Sequence, residues 1–244
     1  MPCLVTALAG CTPIGAAAQA GYARLAVRGE LALADGAATT TDQSLRSAFG
    51  LGDARGAPFV RGQGELGSLS VSASLTSLQE SGDGVLSSDF GGLPAGTPVA
   101  SDLDVTIGKL TGAFAIDLGP VTLSPGLQLD VFDLEFTARE LVLGNREEID
   151  ELLALPLLFG RVEAELGGLR GFAELGYLEI PSIGGNRGRF LDTEVAVTWS
   201  VVSTVDFVAG YRHLGIDAKG ASGEDTIAVD LVLSGWFVGG GLRF

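Results

Sequence analysis

Side chains that carry most enzymatic and metal chemistry are scarce in this chain. It holds one histidine, His213, and two cysteines, Cys3 and Cys11. Structural zinc sites draw four ligands largely from Cys and His, so no such site is expected. Charged residues make up only 18% of the sequence, against about 25% in soluble domains, which points to an apolar surrounding. Positive charge is the scarcer sign: 15 Lys and Arg face 30 Asp and Glu, a formal net charge of −15. Nucleic acid is therefore not an expected partner, because phosphate binding relies on clustered Lys and Arg. Long apolar runs are missing too. A membrane-crossing helix needs about 20 mostly apolar residues. The one long uncharged stretch, at the N-terminus, is broken by Pro2, Gly10, Pro13 and Gln19. In lipid only helices and closed barrels satisfy their own backbone polar groups. A membrane chain without helical spans is expected to be a β-barrel, with a soluble β-sandwich as the alternative fold.

Residues 1–20 carry no charge. From Val5 to Ala20 they read as a signal peptide that lacks its basic start, and Ala18-Gln19-Ala20 fits an A-x-A cleavage site. The expected division is a signal-peptide remnant over 1–20 and a barrel over 21–244. A rival reading takes Leu8-Ala9-Gly10-Cys11 as a lipoprotein signal in which Cys11 is lipidated. Cleavage after Ala20 would remove both cysteines.

What the chain does have is glycine, at 37 residues, and repeated two-residue alternation. Strands send successive side chains to opposite faces. In a membrane barrel the apolar set faces lipid and the polar set the lumen. Residues 22–35 set Leu25, Val27, Leu31 and Leu33 against Arg24, Arg28 and Glu30. Further alternating runs fall at 59–66, 69–76, 101–115, 121–136, 158–166, 169–180, 190–200, 205–216 and 226–244. In 121–136 the polarity changes phase near Phe132-Asp133, which implies a bulge or a strand leaving the membrane. The count predicts a closed antiparallel transmembrane barrel of ten strands, with eight as the alternative. Short turns near Gly67, Gly119, Gly167 and Ser203 alternate with longer segments at 36–57, 79–100, 137–155, 181–188 and 217–225. This matches short periplasmic turns and longer extracellular loops. Tyr22, Trp199, Phe207 and Phe244 are expected near the periplasmic ends, with Trp236 in the same lipid-facing set as Phe244. Helical turns are expected in two loops, one behind Asn145 with Ile149, Leu152 and Leu153 on one face, and one capped by Asp42 through Leu45 and Phe49.

Several stretches carry a resemblance to a known group of proteins. They are Ser101-Asp102-Leu103-Asp104-Val105-Thr106, Gly126-Leu127-Gln128-Leu129-Asp130-Val131, Leu155-Pro156-Leu157-Leu158, Leu191-Asp192-Thr193-Glu194, Gly210-Tyr211-Arg212-His213-Leu214 and Gly241-Leu242-Arg243-Phe244. With residues 22–35 as a first strand, the chain resembles a family of small bacterial outer-membrane β-barrel proteins of the broad OmpA/OmpX-like architecture. The resemblance implies an outer-membrane location and a terminal Phe244 that looks like the signal read by the outer-membrane assembly machinery. It implies no catalytic residues.

The candidate functional constellation is the lumen. It is expected to hold Arg24, Arg28, Arg61, Arg161 and Arg212 among Glu30, Glu65, Asp104, Asp130, Glu163, Glu165, Glu174, Asp192 and Glu194. Buried charge is costly unless paired, so these side chains are expected to pair across the interior and plug it. The expected role is structural or surface-interactive, in a monomeric barrel whose exterior contacts outer-membrane lipid. A narrow channel for small solutes or cations is the first alternative, because acids outnumber arginines in the set. An outer-membrane hydrolase is the second. Omptin-type proteases use paired acids with an Asp-His pair, which here would enlist Asp102, Asp104 and His213. Against it, His213 shares the parity of Phe207 and Tyr211, and the position two before it is Tyr211 rather than an acid. No cofactor and no dedicated metal site are expected. Glu147, Glu148, Asp150 and Glu151 form an acidic segment that divalent cations would be drawn to, without the spacing of a calcium loop.

Overall fold

The computed structural model describes residues 14–34, 41–183, 186–222 and 225–244. Ten long antiparallel strands run through it: β1 Ile14–Ala34, β2 Arg55–Leu66, β3 Leu69–Val85, β4 Pro98–Phe114, β5 Val121–Glu140, β6 Arg146–Leu166, β7 Leu169–Ile183, β8 Asn186–Val202, β9 Val205–Ser222 and β10 Asp225–Arg243. Each pairs with its neighbour in sequence, and β10 closes on β1 from Ala17↔Arg243 to Ala34↔Thr226. Two-residue strands, Gln43–Ser44 and Ile116–Asp117, add to β1 and β5. The closed ring of ten is the expected architecture; the eight-strand alternative is not what forms. Gly235 makes part of this closure feasible: a Cβ there would lie 1.9 Å from the Arg24 carbonyl oxygen.

Ladder partners followed from Leu169 around the ring return to β6 at Ala154. Leu169 itself faces Leu166, so the register slips by twelve residues per circuit. Ten strands with that stagger tilt about 40° from the barrel axis.

Tilt and alternation together divide the barrel into two storeys. On β5 the outward positions Leu123, Pro125, Leu127, Leu129 and Val131 are followed by Asp133, Glu135, Thr137 and Arg139. The apolar set spans about 20 Å along the axis at a strand rise of about 3.3 Å, close to the ~25 Å band of membrane barrels. Exposed Val60, Leu75, Leu110, Leu158, Leu175, Val195 and Val238 continue this belt on other strands. Inward positions on β5 run the other way: Gln128 and Asp130 are followed by Phe132, Leu134 and Phe136, all buried. The ladder against β6 is continuous through this point. The phase change seen in the sequence is therefore the strand leaving the membrane, with no bulge.

Above that level the wall meets water outside and must fill its own interior, so the polarity of the two faces inverts. This extends the strands well beyond the expected loop boundaries. Residues 137–155 are mostly wall, joined by a short connection at 141–145. The expected helical turn behind Asn145 is instead the start of β6, with Ile149 turned inward and Leu152 outward. The other expected turn is present as α1, Leu45–Phe49, preceded by Ser44 rather than by Asp42 and closed by Gly50 in the left-handed region. This helix lies inside the rim against β3. A Cβ at Gly82 or Gly84 would lie 2.2 Å from the Gly50 carbonyl and 2.1 Å from that of Ala48. Phe49 packs edge-on against Phe90 and Phe136, with centroids 5.1 and 4.8 Å away, forming a lid over part of the upper storey.

At the other end, β1 begins at Ile14. Ala18 and Ala20 sit within it, opposite Gly62 and Val60 of β2 and Leu242 and Gly240 of β10. The barrel thus includes residues 14–20, upstream of the expected start at Gly21. Cys3 and Cys11 lie outside the described residues.

Candidate functional site

The lower storey holds a layer of ion pairs. Asp192 of β8 is its hub. It accepts from Lys109 of β4 at 2.7 Å and from Arg212 of β9 at 3.2 Å, and all three side chains are buried. Gln128 donates to Asp192 and to Asp130. One layer along, Arg61 of β2 spans the interior to Glu194 at 2.5 Å. Arg161 of β6 reaches Glu174 at 2.9 Å and also contacts Glu163, and its guanidinium lies 4.2 Å from the centre of the Phe172 ring. Arg170 lies in ion-pair range of Glu163 at 3.3 Å and of Glu165 at 3.8 Å. Arg243 closes on Asp206 at 2.8 Å near the mouth. Phe59 and Phe237 fill the space beside them edge-on at 5.5 Å. Alternation alone aims these groups inward, and stagger sets them at matching heights. Pairing offsets the desolvation that each lone charge would carry.

Ten of the fourteen expected lumen residues face inward. These are Arg61, Glu65, Asp130, Arg161, Glu163, Glu165, Glu174, Asp192, Glu194 and Arg212, with Glu65 and Glu165 exposed at the mouth. Four do not. Arg24, Arg28 and Glu30 share the outward parity of Tyr22 and are exposed, while Leu25, Val27, Leu31 and Leu33 of the same strand are buried inside. Asp104 faces outward and accepts from Gln79. All four lie above the apolar belt, where the inverted pattern puts charge in water. Lys109, Arg170 and Arg243 are the cations that the sequence reading missed. Lys109 shares the parity of Leu103, Val105 and Ile107, the apolar set of residues 101–115 that the membrane-barrel rule sends to lipid, so assigning that face inward would have found it. With Glu30 and Asp104 outside and these three cations inside, the acidic excess that favoured a cation channel shrinks.

Aromatic side chains ring the belt in two rows. Trp199, Phe207, Phe114 and Phe244 mark its lower edge, all exposed on the outward face. Phe244 is fixed by its backbone N–H to the Ala16 carbonyl at 2.8 Å. Tyr22 and Trp236 belong to the upper row instead, with Tyr177 and Tyr211. Trp236 packs edge-on to Tyr211 at 5.1 Å, and Tyr22 is the ladder partner of Val238, two residues below Trp236. Arg24 and His213 follow Tyr22 and Tyr211 on the outward face, just above that row.

The residues an omptin-type mechanism would need are not brought together. Asp102 and Asp104 point outward from β4, and His213 points outward from β9 on the far side of the ring. In the acidic segment, Glu147 turns inward and accepts from the Gly92 N–H at 3.1 Å. Asp150 instead converges with Asp133 and Glu135 on the outer wall, their carboxylates within 4.8 Å of one another.

The upper storey contains a cavity of about 250 Å³. Its walls are apolar, from Val105 of β4 and Leu134 of β5 round to Ile216 of β9 and Val229 of β10. Lys219 and Glu151 are its only charged neighbours among the described residues. Neither the cavity nor its position was legible from the sequence.

No protein-family model matches the chain, and no curated protein matches it. Solved structures do. The outer membrane protease OmpT of Escherichia coli aligns over 94% of this chain and 97% of its own, with a TM-score of 0.61 and 10% identity. The attachment invasion locus protein Ail of Yersinia pestis covers 95% and 99%, at TM-score 0.41 and 12% identity. The toluene transporter TodX of Pseudomonas putida covers 95% and 90%, at TM-score 0.35 and 8% identity. At such identities the likeness is one of fold. Ten closed strands, an apolar belt between two aromatic rows and the OmpT-like fold make this chain a bacterial outer-membrane β-barrel.

Proposed function

We propose that the protein is a closed, non-conducting barrel that anchors in the outer membrane and presents its upper storey for binding at the cell surface. The observation that carries this reading is the ion-pair layer around Asp192, where side chains from β4, β8 and β9 meet across the interior. Buried pairs at these distances favour a level that water does not thread. Half the wall then stands above the lipid, which a simple plug would not need. The apolar belt continues round the ring and suits a monomer in lipid. Phe244, exposed at the lower edge, suits recognition by the assembly machinery.

A planar-bilayer recording tests this. The inserted protein is expected to give no discrete conductance steps in concentrated potassium chloride. Steps with a defined open level would favour the channel reading.

A further inference from the structure

The barrel wall is not continuous. β6 and β7 pair from Leu166↔Leu169 up to Leu158↔Tyr177, and there the ladder ends. Among the described residues, Arg146–Leu157 pair with β5 alone and Leu178–Ile183 with β8 alone. Pro156, which has no N–H to give a ladder, stands two residues above the last pair, as suits an edge strand. The parting starts at Tyr177, in the upper aromatic row, and so at the outer surface of the bilayer. Ile180 lies on β7 beside this parting. It has the inward parity of β7, yet it is 40% exposed. Behind the parting lies the apolar cavity, which Ile149 and Leu153, in the stretch of β6 that pairs with β5 alone, help to line.

We propose that this cavity binds the hydrocarbon chain of a single-chain amphiphile, and that the chain enters sideways from the outer leaflet between β6 and β7. Size, chemistry and position all point to this occupant. A dry apolar cavity of about 150 Å³ holds a benzene ring, so 250 Å³ suits a chain of about ten carbons. Water gains nothing there, because it needs two to four polar partners and the walls supply almost none. An amphiphile already in the bilayer surface presents its chain at the height where the wall parts. Its polar head stays at the opening, in reach of water, with Glu151 of β6 and Lys219 of β9 the charged side chains that line the cavity. The ion-pair layer below forms the floor.

The test uses the whole barrel, with Cys3 and Cys11 replaced by serine, reconstituted in phosphatidylcholine vesicles. The probe is a dansyl-labelled undecanoate, supplied either from water or from donor vesicles. One saturable site per barrel is expected above the non-saturable partition into lipid. Ala218→Phe and Val229→Phe both add volume to the cavity and are each expected to weaken that site at least tenfold. Leu175→Phe, on the lipid face, leaves it unchanged. Heat-modifiable gel mobility checks that each variant is folded. Unaltered affinity in folded Ala218→Phe and Val229→Phe proteins overturns the site.

The route is tested separately. The ladder continued past Leu158↔Tyr177 would set Pro156 opposite Glu179. Cysteines at these two positions, joined by a short bifunctional thiol linker, are expected to slow uptake from donor vesicles at least tenfold while the affinity at equilibrium is kept. Equal rates with and without the linker overturn lateral entry and leave access from the rim. Neither arm depends on conductance, so the closed-lumen reading stands or falls apart from them.

Discussion

Replacing Asp192 with alanine is expected to cost about 3–5 kcal/mol of barrel stability, the range for breaking a buried ion pair by removing one partner. The cost arises from what remains. Lys109 and Arg212 approach Asp192 at 2.7 and 3.2 Å with side chains only 6% and 7% exposed. Without it, two buried cations lose their nearest counter-charge. Glu174 stays at 3.7 Å from Lys109, too far to replace a direct bond. Urea or guanidinium unfolding in detergent micelles measures the change. Asp192→Asn keeps hydrogen-bonding capacity and is expected to lose less. Pairing Asp192→Asn with Lys109→Met removes one charge of each sign and is expected to recover part of the loss. A cost below about 1 kcal/mol, the scale of a solvent-exposed pair, would mean that water already reaches these groups and that the interior is a hydrated pore.

Phe49→Ala is expected to release the lid. Phe49 is fully buried, touches Phe90 and Phe136 edge-on, and ties α1 to residues of β5 and the segment after β3. Truncation of a buried Phe costs about 3–5 kcal/mol. The loss should fall locally, because the transmembrane ladders do not pass through α1. At about 1.4 kcal/mol per factor of ten, opening of residues 41–54 becomes about two to three and a half orders of magnitude more frequent. Amide hydrogen exchange reads this directly. Protection at 45–51 should collapse while that of β8 to β10 is kept. Uniform loss across all strands would show that the lid is integral to the barrel.

Both predictions concern groups that the sequence marked unequally. Two-residue alternation fixed the strands and their number, because a period of two survives whatever the surroundings are. It also found Asp192, Glu194 and Arg212, which lie where the wall faces lipid and polar means inward. It misplaced Arg24, Arg28, Glu30 and Asp104 because alternation separates two faces without saying which one meets solvent. Above Val131 and Tyr22 the solvent changes from lipid to water, and the same pattern takes the opposite sense. The reversal at Phe132-Asp133 was the one visible trace of that boundary. Lys109 was lost with it, since it shares a face with Ile107. The cavity depends on six strands meeting at one height, and the parting depends on where one ladder stops. Both are set by the twelve-residue stagger of the whole ring, which no local stretch of sequence encodes.

The two storeys have opposite faces, and β5 crosses the boundary between them. Spin labels placed singly at 123–139, in a background with Cys3 and Cys11 replaced by serine, measure exposure to oxygen in lipid and to a nickel complex in water. The expected result is lipid exposure at 123, 125, 127, 129 and 131, water exposure at 133, 135, 137 and 139, and shielding from both at 132, 134 and 136. Lipid exposure that continued through 133–139, or water reaching 132–136 as freely as the outer wall, would contradict it.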